Sequence, residues 1–142
     1  GAGTVLNPEQ LKSAKDAGAD FAVSPGAYSK LVQSSVDCGL PLLPGAATAS
    51  EMMTLMAMGI TAMKFFPATA AGGSGYLKAL AAPLAEAEFC PTGGITPETA
   101  ADWLALPNVI CVGGSWLAPN HVLAAGDFAV ITDHARACAT LG

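Results

Sequence analysis

Short apolar runs and longer stretches of helical periodicity take turns along the whole chain. Phe21-Ala22-Val23, Pro41-Leu42-Leu43, Ala62-Met63-Lys64-Phe65-Phe66, Glu88-Phe89-Cys90 and Val109-Ile110-Cys111-Val112 read as strands, each followed closely by Pro or Gly. Gly1-Ala2-Gly3-Thr4-Val5 reads as the tail of one more. The helices between them carry their own signals. Asn7 suits an N-cap, Pro8 the first helical position, and Gln10 can complete a capping box. Leu11, Ala14 and Ala17 hold one face of that helix, and Gly18 ends it. A second helix covers about Ala27 to Cys38, with Leu31, Val32 and Val36 inward and Gly39 closing it. Thr48-Ala49-Ser50-Glu51 is a capping box that opens a Met-rich helix ending at Gly59. Gly72 to Gly75 reads as a flexible loop before a helix from about Tyr76 to Ala82. Thr96-Pro97-Glu98 caps a helix to about Leu106, and the tail from about Gly126 to Thr140 is the last helix.

Strand starts near residues 21, 41, 62, 88 and 109 lie roughly twenty residues apart. That is the βα repeat of a parallel sheet or a (β/α) barrel. The predicted class is α/β, a (β/α)8 barrel represented here by one domain over residues 1–142, with about five βα units and a strand stub. A whole barrel usually needs about 200 residues or more. The chain reads as processed, trimmed or partial, short by about two units whose place would be before Gly1.

Composition supports a parallel sheet. Apolar residues make up 52% of the chain and charged ones 12%, a ratio suited to strands covered on both faces. No apolar run approaches the ~18 residues of a membrane span, and no charged-then-apolar leader is visible, so a cytoplasmic chain is expected. A net charge of −5 argues against nucleic acid as a partner. Cys38, Cys90, Cys111 and Cys138 lack metal-ligand or disulfide-framework spacing. They read as reduced thiols, with Cys90 and Cys111 in the core, and no metal or cofactor is expected.

Of the six cations, Lys12, Lys15, Lys30, Lys78 and Arg136 fall in helical stretches, where a solvated face is the plain reading. Lys64 alone sits inside an apolar strand, between Met63 and Phe65. Desolvation there disfavours the ammonium and leaves a nucleophilic amine, unless the side chain snorkels to solvent. Pro67 places Lys64 near the C-terminal end of its strand, where barrel enzymes keep catalytic groups. Two Gly-rich loops, Thr92-Gly93-Gly94 and Gly113-Gly114-Ser115, follow the last two strands. In barrels such loops build phosphate sites from bare N–H groups, although tight turns also favour glycine. The carboxylates lie on helices or at their ends, or, for Glu88, at a strand start, so no general base is evident. His121 and His134 belong to no strand-end motif, and Met52, Met53, Met56 and Met58 read as core packing.

GAGTV (1–5), SPG (24–26), PLLPG (41–45), KFFPA (64–68), FCPTGGI (89–95) and VGGSWLAP (112–119) occur in this order. Together they resemble the 2-keto-3-deoxy-6-phosphogluconate (KDPG) and 4-hydroxy-2-oxoglutarate (KHG) aldolase family over nearly the whole chain, weakening after Pro119. The resemblance implies a class I aldolase without metal or cofactor, a lyase of Entner–Doudoroff carbohydrate metabolism and commonly a homotrimer. Its substrates would be a phosphorylated keto acid and pyruvate. Lys64 stands at the Schiff-base position, Thr4, Pro25, Phe66 and Thr92 at pyruvate-pocket positions, and Gly93, Gly94, Gly114 and Ser115 at phosphate-loop positions. The family's general-base glutamate and a substrate-binding arginine belong to an earlier strand, so this chain is expected to lack both. The rival readings are another phosphate-binding (β/α) barrel enzyme and a non-catalytic phosphate-binding module.

Overall fold

Each βα unit is fixed locally before packing adds to it. The computed structural model describes residues 1–140. α1 (Pro8–Asp16) opens where Asn7 Oδ1 accepts from the Gln10 N–H at 2.9 Å. The Gln10 side chain answers one residue further back than the sequence suggests, accepting from the Leu6 N–H. α2 (Ser29–Cys38) ends on Gly39 in the left-handed region. α3 (Ala49–Ala57) carries the full capping box: Thr48 Oγ1 accepts from the Glu51 N–H, and the Glu51 carboxylate accepts from the Thr48 and Ala47 N–H groups. α4 (Gly73–Leu80) and α5 (Pro97–Leu104) follow, the latter capped by a reciprocal Thr96–Thr99 box. α6 (Asn120–Ala125) and α7 (Phe128–Cys138) complete the described helices.

The strands are β1 (Ala22–Val23), β2 (Leu42–Leu43), β3 (Gly45–Ala46), β4 (Ala62–Phe65) and β5 (Glu88–Pro91). Every pairing is parallel and follows chain order. Ala2 bridges Ala22, β1 pairs with β2, β3 with β4, and β4 with β5, while Phe89 bridges Val109 and Thr92 bridges Gly113. β2 and β3 are two halves of one extended segment with Pro44 between them. Proline has no N–H for a ladder, but the Pro44 carbonyl accepts from the Lys64 N–H at 2.8 Å. One half therefore bonds back to β1 and the other forward to β4, and the arc continues through the break.

The main core lies between this arc and the helices. Met63, Phe65, Phe89 and Leu77 are fully buried in it. The Phe65 ring stacks on Tyr76 at 5.7 Å and meets Trp103 at 6.4 Å. A smaller cluster of Val5, Leu11, Ala22, Leu31 and Leu40 sits beneath α1 and α2. Because strand side chains alternate, Lys64 faces away from Met63 and Phe65, on the side of the sheet opposite the helices.

Five expectations need correction. Gly72 to Gly75 is no loop: α4 starts at Gly73, since the Gly73 N–H bonds back to Ala68 and Tyr76 anchors the turn through its hydroxyl, which accepts from the Ala49 N–H. Val36 is 69% exposed, and Ser35, bonded to the Val32 carbonyl, takes the inward place. Cys111 is exposed rather than core. Of Met52, Met53, Met56 and Met58 only Met52 is fully buried, with Met56 packed beside the core and Met53 and Met58 outside it. Val109 and Gly113 form isolated bridges in place of the continuous strand expected over Val109–Val112, while the tail helix expected from about Gly126 is α7. No described helix is long and apolar enough to cross a membrane.

Candidate active site

Lys64 is the third residue of β4, flanked in register by Gly45 of β3 and Cys90 of β5. Its Nζ lies 4.5 Å from the centroid of the Phe66 ring. Burial pulls its pKa below the usual lysine value, while the negative charge of Cys90 acts the other way. Desolvation is thus the larger influence, and it raises the share of free amine at neutral pH. A free amine beside a polar rim can add to a ketone.

The rim is built from the next residues along the arc. An ideal Cβ on Gly45 would fall 2.2 Å from the Pro25 carbonyl carbon and oxygen, so the Pro25 backbone lies directly against the strand beside Lys64. On the other side, the Thr92 N–H donates to Phe65 at 2.9 Å, and Thr92 Oγ1 stands 3.9 Å from Cys90 Sγ. Gly93 packs on the Phe66 ring, where a Cβ would approach to 3.4 Å. Lys64, Pro25, Phe66 and Thr92 therefore share one end of the sheet. Thr4 stands at that end too, on the first segment, with β1 and the β2–β3 segment between it and Lys64. Thr4 is exposed and holds φ at +59°, a region non-glycine residues rarely enter.

The two Gly-rich loops lie side by side at this end. Thr92 bridges Gly113, and the Gly113 N–H donates to Pro91 at 2.8 Å. Gly93 and Gly94 take φ of +105° and +77°, which turns the chain sharply out of β5. Gly114 leads into a single helical turn at Ser115–Leu117. Among the described residues, the N–H groups of Gly93, Gly94, Gly114 and Ser115 donate to no protein acceptor. Such a cluster of bare donors suits an anion.

Two residues of the site escape sequence reasoning. Thr69 donates its N–H to Gly93, and a Cβ on Gly94 would lie 2.6 Å from its hydroxyl, so Thr69 walls the anion loop. Its place just after KFFPA is the available signal. Cys90 is the second, since only strand register reveals that it shares a rung with Lys64. Glu51 lies just past β3, but its carboxylate is held by two N–H groups, which keep its pKa below the usual carboxylate value, the Ala47 bond foremost. No group of three or more His, Cys, Asp or Glu among the described residues could hold a metal ion.

Comparisons with known proteins find a matching family model and similar chains. A family model described as KDPG and KHG aldolase matches residues 1–134. The KHG/KDPG aldolase of Escherichia coli K12 is 51% identical over 96% of this chain and 64% of its own length. This chain thus spans a little under two thirds of that relative. A KDPG aldolase from Legionella pneumophila, solved with pyruvate captured as a covalent carbinolamine intermediate, superposes with a TM-score of 0.92 at 43% identity, over 97% of this chain and 67% of that one. The Zymomonas mobilis ZM4 aldolase, solved with 3-phosphoglycerate, gives 0.91 at 42% identity, over 100% and 66%.

Proposed function

Because the chain belongs to the KDPG and KHG aldolase family, we propose that it carries the imine-forming half of a class I aldolase site. The observation that carries the reading is Lys64: a partly desolvated amine on the open face of the sheet, beside two loops of unengaged N–H groups. Its Nζ adds to the C2 ketone of a 2-keto acid to give a carbinolamine, which loses water to an imine. The protonated imine accepts electrons as the C3–C4 bond breaks, while the C4 hydroxyl gives up its proton and an aldehyde leaves. Protonation of the enamine at C3 and hydrolysis return pyruvate and the free amine. The carbinolamine held by the Legionella protein is the kind of adduct this first step makes.

The Gly93-Gly94 and Gly114-Ser115 donors favour a substrate with a phosphate at its far end, hence KDPG, yielding glyceraldehyde 3-phosphate, over KHG, yielding glyoxylate. Phosphate held there would place C2 against Lys64 and lower the cost of orientation. Thr4, Pro25, Phe66 and Thr92 are proposed to line the pyruvate end. Glu51, with its oxygens engaged, is read as a helix cap rather than the proton acceptor. The free thiols suit the cytoplasm. The exposed Val36, Met53 and Phe128 suit the homotrimer that family resemblance implies, which sedimentation would test.

Borohydride reduction in the presence of pyruvate, followed by peptide mass analysis, tests the reading. An adduct on Lys64 is the expected result. An unmodified Lys64 peptide in a folded sample would overturn it.

A further inference from the structure

The described cysteines are all unpaired, but they do not have equal surroundings. Cys38 Sγ points to the Ser35 carbonyl, and Cys138 Sγ accepts from Trp116 Nε1 at 3.2 Å. Cys90 instead shares a rung with Lys64 and lies beside the Thr92 hydroxyl. Its other neighbour follows from the irregular edge of the arc. Between the bridges Phe89–Val109 and Thr92–Gly113, β5 contributes two residues and the facing segment three. One residue there is extra, as in a β-bulge. Val109 and Val112 both turn to the helix-side core. Cys111, between Ile110 and Val112, is thereby turned to the side of Cys90 and Lys64. The two thiols thus stand on one face of the sheet, across the bulge from one another, where each acts on the titration of the other.

We propose that Cys90 and Cys111 are a peroxide-reactive thiol pair, with Cys90 attacking and Cys111 resolving, whose closure to a disulfide also removes a negative neighbour of the Lys64 amine. The asymmetry sets the roles. The influence of Cys111, helped by Thr92 and the Lys64 charge and opposed by burial, brings the Cys90 thiol down to about 7. Cys90 in turn, together with burial, pushes the Cys111 thiol up. Cys90 is therefore the thiolate near neutral pH, and Cys111 is its exposed companion. The Cys90 thiolate attacks one peroxide oxygen, breaking the O–O bond to give a sulfenic acid and a hydroxide that leaves as water. The Cys111 sulfur then displaces the sulfenic oxygen as a second water. Two thiols lose two electrons, and one peroxide becomes two waters.

The link to Lys64 is electrostatic and rests on the aldolase reading; the thiol chemistry does not. β3 places the non-titrating Gly45 beside Lys64, and β5 places Cys90 there. The Cys90 charge is the influence that raises the lysine's pKa. A disulfide abolishes that charge, so the oxidised chain should form the pyruvate imine at lower pH than the reduced chain.

The test is to treat the chain with hydrogen peroxide, alkylate the remaining thiols and map peptides without reduction. A Cys90–Cys111 cross-link, reversed by dithiothreitol, is expected, with Cys38 and Cys138 still alkylated. Cys111→Ser should leave Cys90 as a sulfenic acid that dimedone captures. Full alkylation of Cys90 after peroxide, or scrambled links among all four cysteines, would overturn the pair. Borohydride trapping of pyruvate across pH, in reduced and oxidised chains, reads the second claim. A lower midpoint on oxidation supports it, and an unchanged midpoint sinks it. If neither form traps pyruvate, the aldolase reading fails, while the cross-link still decides the thiol pair.

Discussion

Lys64 answers two opposed demands. Chemistry needs it unprotonated, and the fold would be more comfortable without it. A lysine whose pKa is lowered in the fold costs stability at every pH below that value, because the unfolded chain holds the proton more readily there. The cost shrinks as pH rises through the lowered value and vanishes above the ordinary lysine range. Lys64→Met should therefore lose the pyruvate adduct altogether and gain thermal stability at neutral pH, and the gap in Tm between variant and parent should narrow as pH rises. Equal Tm values at all pH would show that the site carries no such burden. Lys64 was legible in the sequence because a lone charge in an apolar strand stands out. Cys90 was not, because a cysteine in an apolar run looks like core until the register sets it on the lysine's rung.

Caps and strand ends were the most readable parts at the scale of single elements. The Thr48–Glu51 box formed as the spacing predicts, and it makes a stability prediction. Thr48→Ala should cost about 1 kcal/mol in denaturant unfolding. Glu51→Gln should weaken the same helix start and leave the pyruvate adduct on Lys64 intact. The Glu51 value is depressed in the fold, so its contribution is complete above the unfolded carboxylate pKa and is lost as pH falls through the folded one. Parent and Glu51→Gln should converge in stability in acid. What the pattern missed was set by contacts from elsewhere. The Gly72 to Gly75 stretch reads as loop by composition, yet the turn below it and the Tyr76 hydroxyl draw it into α4. Ser35 displaced Val36 from the interior because its hydroxyl finds the Val32 carbonyl within its own helix.

For the molecule as a whole, the repeat of roughly twenty residues gave the parallel arc and the end on which the site would lie, since both depend only on element order. The meeting of the two anion loops depends on the Thr92–Gly113 bridge, which no local pattern encodes. Inorganic phosphate should raise the Tm of the chain through those loops. At a hundredfold excess over Kd the gain would be about 2.7 kcal/mol. Gly94→Ala should reduce that response, because φ of +77° strains an alanine and its Cβ would strike the Thr69 hydroxyl. The strain is about 1–2 kcal/mol, roughly tenfold in affinity if felt in the bound state. The strictly sequential ladder has a kinetic consequence as well. Apart from the Pro44 break, each strand pairs with its neighbour in the chain, so each pairing closes a crossover of about twenty residues and none waits on a longer one. Search during folding is confined to short separations, and the sheet can grow from any adjacent pair toward both ends, like a zipper with several possible starting teeth.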